Sequence, residues 1–159
     1  EWLEQSRDDI QSEREVKRYC TQNGYFVSEL VFSSLIIKNR LADFDIVPNK
    51  SYKEISMRKI PDDMKIHYIR GFFDGDGSFS WNKNTKQGMV KIISHKENIL
   101  KEIQEIMGGS LYYFKERDLY SLEFSTIPSI QFLERIYEKA DRFLTRKKMK
   151  YDEFIQYRL

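Results

Sequence analysis

The chain has 159 residues, enough for one domain, or one and a half small ones, with a real hydrophobic core. Its 27 lysines and arginines barely exceed its 25 aspartates and glutamates, so overall charge does not indicate a nucleic-acid partner. The single Cys20 excludes a disulfide framework and indicates a reducing compartment. No apolar run reaches the roughly 18 residues of a membrane span, and no signal peptide is visible. We therefore expect no membrane contact and no secretion, but a protein of the cytoplasm or of an organelle matrix.

The first third of the chain resembles a later part of it. Residues 29–34 (ELVFSS) align with residues 121–126 (SLEFST) at an offset of 92, with leucine and phenylalanine at matching positions. Each segment predicts a strand, and each is followed by an apolar stretch that predicts a helix, 35–44 or 127–140. A basic element follows each helix and contains Lys50 or Lys147, respectively.

This similarity predicts two domains. Ile10, Val16 and Tyr19 predict a helix before the first strand, so residues 1–55 would form helix, strand and helix, the back half of an earlier repeat. Residues 56–159 would then form a complete unit. A coincidence between two short segments gives the same pattern and remains an alternative. The chain starts without methionine, which is expected of a fragment or a processed product.

Residues 60–73 predict an amphipathic helix. Pro61 suits the first helical position, and two aspartates follow it at the positive end of the helix dipole. Met64, Tyr68 and Phe72 recur every fourth residue and form an apolar stripe. Gly71 and Gly75 then lie four residues apart on one face. Such a glycine costs roughly 1 kcal/mol relative to alanine, a cost that the close approach of another backbone would explain.

Two carboxylates, Asp74 and Asp76, follow at the end of this helix, in the segment 74–78 (DGDGS). A calcium loop starting at Asp74 would need glycine and glutamate where the chain has Phe79 and Thr85. A dinucleotide fingerprint would lack its third glycine, and the chain contains no phosphate-binding loop of the G-x-x-x-x-G-K type. An ordinary Asp-Gly turn stays open, but the preceding helix favours a place to hold a metal ion.

The rest of the chain predicts two hairpins separated by a helix. We expect strands at 78–81, 89–94, 110–115 and 119–125, and helices around 99–107, 127–140 and 147–157. The order helix–β–β–helix–β–β–helix predicts an α+β fold, with an antiparallel sheet and helices on one sheet face. The other face would be free for a ligand.

That free face has polar and basic side chains. In strand 119–125, Leu122 and Phe124 alternate with polar residues, which should therefore face outward. An antiparallel ribbon with such side chains fits the DNA major groove. Solvated strands and charged hairpin tips give the same pattern, so the face as a whole is the firmer prediction. The candidate DNA-contacting residues are Ser80, Asn82, Lys83, Lys86, Lys91, Lys115, Arg117, Ser121 and Glu123.

Residues 69–77 (IRGFFDGDG) resemble the nine-residue motif of the LAGLIDADG homing endonucleases, with Ile and Arg in place of the leading Leu and Ala. The resemblance implies that two such helices pack together, and that each copy of the fold lays its sheet in the major groove of double-stranded DNA. It implies that the helix pair meets through Gly71, Phe72, Asp74 and Gly75. Asp74 would cap the neighbouring helix.

The resemblance also implies a metal site and a reaction. Asp76, with the Gly75 carbonyl, would bind Mg²⁺ or another divalent cation at the scissile phosphate, and Mg²⁺ suits these oxygen ligands better than zinc does. Lys147 and Lys50 match a basic position that approaches this site in the family, which implies a catalytic role for them beside Asp76: a lysine there would stabilise the charge that builds on the phosphate. Metal-assisted hydrolysis of a phosphodiester bond would follow.

Three functions remain open at this point. The chain could be a site-specific DNA endonuclease encoded by an intron, an intein or a phage. It could be a maturase or regulator that binds nucleic acid without cleaving it, or an inactive fragment of a two-repeat endonuclease. The intact Asp76 favours the endonuclease. Because the chain supplies one motif, we expect either a homodimer or a missing N-terminal repeat to complete the second motif helix.

Overall fold

The structure is a computed structural model that describes residues 15–31, 33–44, 46 and 55–158. The chain divides into two compact units, Glu1–Arg40 and Leu41–Leu159. Within the described part of the chain, no helix combines the length and the apolar character that a membrane span requires.

The first unit contains an antiparallel hairpin of strands β1 (Lys17–Cys20) and β2 (Phe26–Glu29). An Asn-Gly turn closes it: Gly24 has a φ of +80°, and its N–H donates to the Thr21 carbonyl at 2.9 Å. Glycine adopts this left-handed backbone without a steric penalty, which makes Asn-Gly a strong hairpin signal. The predicted helix through Val16 and Tyr19 is therefore wrong, and Ile10 lies outside the described residues.

The predicted strand over 29–34 is also wrong, because β2 ends at Glu29. Helix α1 (Leu35–Asp43) follows, as predicted. The Ser34 side chain accepts the Ile37 N–H at 3.2 Å and so caps the start of this helix. A serine in this position favours the end of an extended segment and the beginning of a helix.

The second unit has the predicted α+β order, and its four strands form one antiparallel sheet in the order β3-β4-β6-β5. The pairings place Phe79 opposite Val90, and Ile92 opposite Leu122. A short 3₁₀ turn at Lys115–Arg117 connects β5 to β6. The elements are α2 (Asp62–Asp76), β3 (Gly77–Asn82), β4 (Gln87–Ser94), α3 (Glu97–Met107), β5 (Ser110–Phe114), β6 (Leu119–Ser125), α4 (Thr126–Tyr137) and α5 (Thr145–Arg158).

The helices of this unit cover one face of the sheet. Inward side chains of β3, β4 and β6 are buried together with apolar residues of all four helices. Because side chains alternate along a strand, the intervening residues lie on the outer face. The buried sheet residues are Phe79, Val90, Ile92, Leu122 and Phe124, and the helical ones include Ile69, Phe73, Leu100, Ile103, Phe132, Ile136 and Phe154.

Candidate functional site

Helix α2 carries the two motif carboxylates to the point where it joins strand β3. Its inner face buries Ile69 and Phe73 in the core. The helix ends when Gly77 turns to an extended backbone and donates its N–H to the Phe73 carbonyl. As a result, Asp74 lies half-buried and Asp76, the last helical residue, is exposed.

Asp74 is held inside the unit. Its Oδ2 accepts the Leu144 N–H at 2.9 Å, while its Oδ1 is buried and has no hydrogen-bond partner among the described residues. Burial raises the pKa of this carboxyl above its ordinary value, against the opposing effects of the Leu144 N–H and the Lys147 ammonium. Because Leu144 immediately precedes α5, the carboxylate sits at the positive end of a helix of the same unit.

Lys147 reaches the same place from the first turn of α5. Its Nζ donates to the carbonyl oxygens of Phe73 at 2.5 Å, Asp74 at 3.0 Å and Gly77 at 2.5 Å. The residue is only 6% exposed, and the ammonium lies 4.7 Å from the centre of the Phe73 ring. Burial lowers the pKa of Lys147, whereas the nearby carboxylates of Asp74 and Asp76 favour its charged form. Lys50, the other predicted lysine, lies outside the described residues.

Arg70 is a buried residue of α2 whose role is not evident from the sequence. Its guanidinium donates to the Ile136 carbonyl at 3.1 Å and approaches His67 Nδ1 at 2.8 Å. These contacts fasten α2 to the end of α4. The pattern of apolar residues does not predict that Arg70 is buried, because this arginine lies beside the apolar stripe of α2 and not in it.

Within the described part of the second unit, one side of α2 is open. A Cβ built on Gly71 or Gly75 would meet none of the described atoms within 4 Å, and Met64, on the same side, is 52% exposed. Phe72 is half-buried and stacks on Tyr68 with 6.5 Å between the ring centres. Of the four residues predicted to form a helix pair, Asp74 is instead turned toward α5.

The oxygen ligands at the end of α2 suit a divalent cation but do not complete a site. Asp76 offers an exposed carboxylate, and the backbone of Gly75 offers a carbonyl, which are ligands that Mg²⁺ accepts. In the described residues, no group of three or more His, Cys, Asp or Glu residues could hold a metal ion. Mg²⁺ usually takes one or two carboxylates and fills its remaining positions with water and phosphate oxygens. The end of α2 therefore fits one part of a metal site.

The outer face of the sheet has a connected polar centre. Lys91 Nζ lies 2.9 Å from Glu123 Oε1, directly across the β4–β6 pair. The Ser121 hydroxyl donates to the same oxygen at 3.1 Å. Ser121 is on the predicted face, but neighbouring side chains leave it only 2% exposed.

These three residues line a groove of about 690 Å³. Lys115 and Arg117 border it from the β5–β6 turn, and Phe114 adds an aromatic wall. The structure thus brings five of the nine predicted DNA-contacting residues together.

The other four predicted DNA-contacting residues lie on β3 and on the turn from β3 to β4. Ser80 is exposed on the outer face. The Asn82 side chain accepts the N–H groups of residues 84 and 85 and so closes the turn. Lys83 lies 5.5 Å from the centre of the Trp81 ring and 3.6 Å from Glu153, and Lys86 lies 5.8 Å from the centre of the Tyr157 ring. Because the β3–β4 and β5–β6 turns lie at opposite ends of β4, these lysines are remote from the groove.

The chain matches a known family over more than half its length. The family model described as LAGLIDADG endonuclease matches residues 69–158. Among solved structures, the chain is similar to the archaeal intron-encoded homing endonuclease I-Vdi141I complexed with DNA, with 19% identity and a TM-score of 0.46 over 62% of this chain and 67% of that one.

Two further solved structures are similar. The homing endonuclease I-TnaI has 18% identity and a TM-score of 0.43 over 57% of this chain and 69% of that one. The LAGLIDADG homing endonuclease I-SmaMI bound to cleaved DNA has 14% identity and a TM-score of 0.46 over 79% of this chain. The match spans only 43% of the I-SmaMI chain. No curated protein matches.

Proposed function

Because the chain belongs to the LAGLIDADG endonuclease family, we propose that it acts in the site-specific hydrolysis of double-stranded DNA, with a divalent cation such as Mg²⁺ bound at Asp76. The supporting observation is the different state of the two motif carboxylates. Asp74 is half-buried and bound to Leu144, whereas Asp76 is exposed at the end of the same helix. Asp76 is therefore accessible to a cation and to DNA, whereas Asp74 is engaged within the unit.

In this proposal Asp76 and the Gly75 carbonyl hold the cation from the protein side, and the DNA supplies phosphate oxygens. When bound, such an ion activates water and neutralises charge on the phosphate. The protein contributes the placement of the Asp76 carboxylate. That placement depends on the last turn of α2 and the first residue of β3.

The outer face of the sheet is the proposed DNA-contacting surface. An antiparallel ribbon enters the major groove, where lysine and arginine donate to guanine and glutamate accepts from cytosine. Lys91, Lys115, Arg117 and Glu123 present these groups around one groove. Lys83 and Lys86, at the other end of the sheet, would contact backbone phosphates, which positions the DNA without selecting its sequence.

The proposed enzyme needs a second motif helix, since this chain supplies one Asp76 and a double-strand break needs two cleavage sites. The open side of α2 around Gly71 and Gly75 would receive that helix. A second copy of the chain could supply it, or an earlier repeat could, of which residues 1–55 would be the back half. The order hairpin then helix in β1, β2 and α1 is the same as in β5, β6 and α4, which supports the repeat.

The test is cleavage of a randomised duplex library with Mg²⁺ by the wild type and by Asp76→Asn. The substitution removes one charge and keeps the shape of the side chain, so we expect cleavage to be lost while binding to selected duplexes survives. Asp63→Asn is the matched control, because Asp63 is an exposed acid in the first turn of the same helix. Cleavage by Asp76→Asn would remove this residue from the proposed role. Sequence-selective binding by a wild type that never cuts would instead indicate a regulator or maturase.

A further inference from the structure

We infer that Lys147 is a positioning residue that clamps the end of helix α2 on both sides of Asp76, and that its ammonium does not contact the scissile phosphate. The inference concerns the same site and rests on the proposed function. The family resemblance implies that Lys147 stabilises charge on the phosphate. We assign it a different task, which is to hold the end of α2.

The ammonium of Lys147 has all of its hydrogen-bond donors in use. A lysine ammonium has three N–H donors, and the structure places it within hydrogen-bond distance of three backbone carbonyls. The residue is almost completely buried. To contact a phosphate, the ammonium would have to leave these carbonyls. The Phe73 carbonyl would keep the Gly77 N–H, but all three carbonyls would lose the hydrogen bond from the buried lysine.

The three carbonyls that Lys147 contacts lie on both sides of Asp76 in the sequence. The last four carbonyls of a helix have no partner within the helix, and Phe73 and Asp74 belong to the last four residues of α2. Gly77, the third acceptor, is the first residue of β3. The lysine therefore ties the backbone before Asp76 to the backbone after it. A cation is also favoured at this negative end of the helix dipole.

A second contact holds the same turn of α2. The Asp74 carboxylate accepts the Leu144 N–H from the segment just before α5. The turn that carries Asp76 is thus held by Lys147 and by Leu144, which lie three residues apart. Asp76 itself stays exposed, so its carboxylate is fixed through the backbone and remains accessible.

The test compares Lys147→Met with Lys150→Met, an exposed lysine on the same helix, by two measurements without DNA. The first is hydrogen exchange of the amides of residues 75–77. The second is the paramagnetic broadening of the same amide signals by Mn²⁺ alone, which detects a weak cation site. We expect Lys147→Met to speed exchange at least tenfold and to weaken the Mn²⁺ response severalfold, and Lys150→Met to change neither.

Three further variants separate positioning from other roles. Ile103→Val lowers the stability of the core away from α2 and should leave the Mn²⁺ response unchanged. Lys147→Arg keeps the charge, but its planar guanidinium cannot direct three donors of one nitrogen at three carbonyls. We therefore expect the amides of residues 75–77 to exchange as fast in Lys147→Arg as in Lys147→Met. Lys147→Gln, with a shorter neutral side chain, replaces Lys147→Met if the latter does not fold.

The outcomes distinguish this inference from the proposed function. Normal exchange and a normal Mn²⁺ response in Lys147→Met, together with lost cleavage, would overturn the inference and indicate a phosphate contact. Full cleavage by Lys147→Arg would overturn it as well. If the wild type and Asp76→Asn gave the same Mn²⁺ response, the proposed metal site would fail, while the exchange data would still decide whether Lys147 holds the helix end.

Discussion

Gly75→Ala and Gly77→Ala each add one methyl group to the motif, and they should change the free energy of unfolding in opposite directions. A Cβ on Gly77 would lie 2.2 Å from Phe73 Cδ2 and 2.6 Å from the Phe73 carbonyl oxygen. That oxygen already accepts hydrogen bonds from the Gly77 N–H and from Lys147, so it cannot move away freely. The φ of Gly77 is −87°, which alanine adopts readily, and the penalty is therefore steric.

The size of the effect follows from these contacts. Overpacking of this kind costs about 1–3 kcal/mol, so Gly77→Ala should lower the free energy of unfolding by that amount. A Cβ on Gly75 meets no atom of the described residues within 4 Å. Gly75→Ala should therefore gain about 0.5–1 kcal/mol from helix propensity. The two variants should differ by about 1.5–4 kcal/mol, although they change positions two residues apart.

The assay is urea denaturation followed by tryptophan fluorescence. Trp81 packs against Phe154 and Tyr157, with ring centres 5.5 Å and 5.1 Å away, and reports on the second unit. A Trp2→Phe background removes the other tryptophan of the chain. The protein should be dilute enough to be monomeric by light scattering, because association would cover the open side of α2.

Two results would refute this reasoning. If Gly77→Ala were as stable as the wild type, the close approach of Phe73 to Gly77 would not limit this turn. If Gly75→Ala were less stable than the wild type in the monomer, the side of α2 that carries Gly75 would be covered within the chain. A change in the denaturant slope would indicate an altered unfolded or native state, and midpoints alone should then not be compared.

Two further predictions concern the same helix. Gly71→Leu places a large side chain on the open face, so under the proposed homodimer we expect an intact monomer that no longer associates, and an unchanged mass of the associated species by light scattering would contradict this. For Asp74, burial raises the pKa of the carboxyl above its ordinary value of 3.8, so the folded protein binds this proton more tightly than the unfolded chain does. The free energy of unfolding of the wild type, relative to Asp74→Asn, should therefore fall as the pH rises above 3.8 through the raised pKa. Urea denaturation of both proteins across this pH range measures the difference between their free energies of unfolding. A difference that rises with pH would show that folding favours the ionised carboxylate.

The second unit could be predicted from the sequence because its patterns are long and regular. The apolar stripe of α2 and the alternation in β6 each repeat several times, and tertiary packing does not override them. The hairpin β1–β2 could not be recognised in this way. Its two strands have four residues each and are largely exposed, so the only clear signal is the turn at Gly24.

The sequence predicts candidate site residues but not the contacts that these residues make. Sequence similarity to a motif points to Asp76 and Lys147, but the hydrogen bonds of Lys147 join residues about 70 positions apart. No local periodicity reports such a distance. In the same way, alternation predicts that Lys91 and Glu123 face outward, while the register that brings them to 2.9 Å depends on the whole sheet.

The long-range fastening of α2 also sets an order of events during synthesis. The turn that carries Asp76 is translated about 70 residues before Leu144 and Lys147, which hold it. A nascent chain that has exposed the motif but not yet α5 lacks both contacts. Under the proposed function, such a chain would present a carboxylate on a frayed helix end and could not yet hold a cation against DNA. Under the same proposal, the unit would become competent to cleave only after α5 had folded.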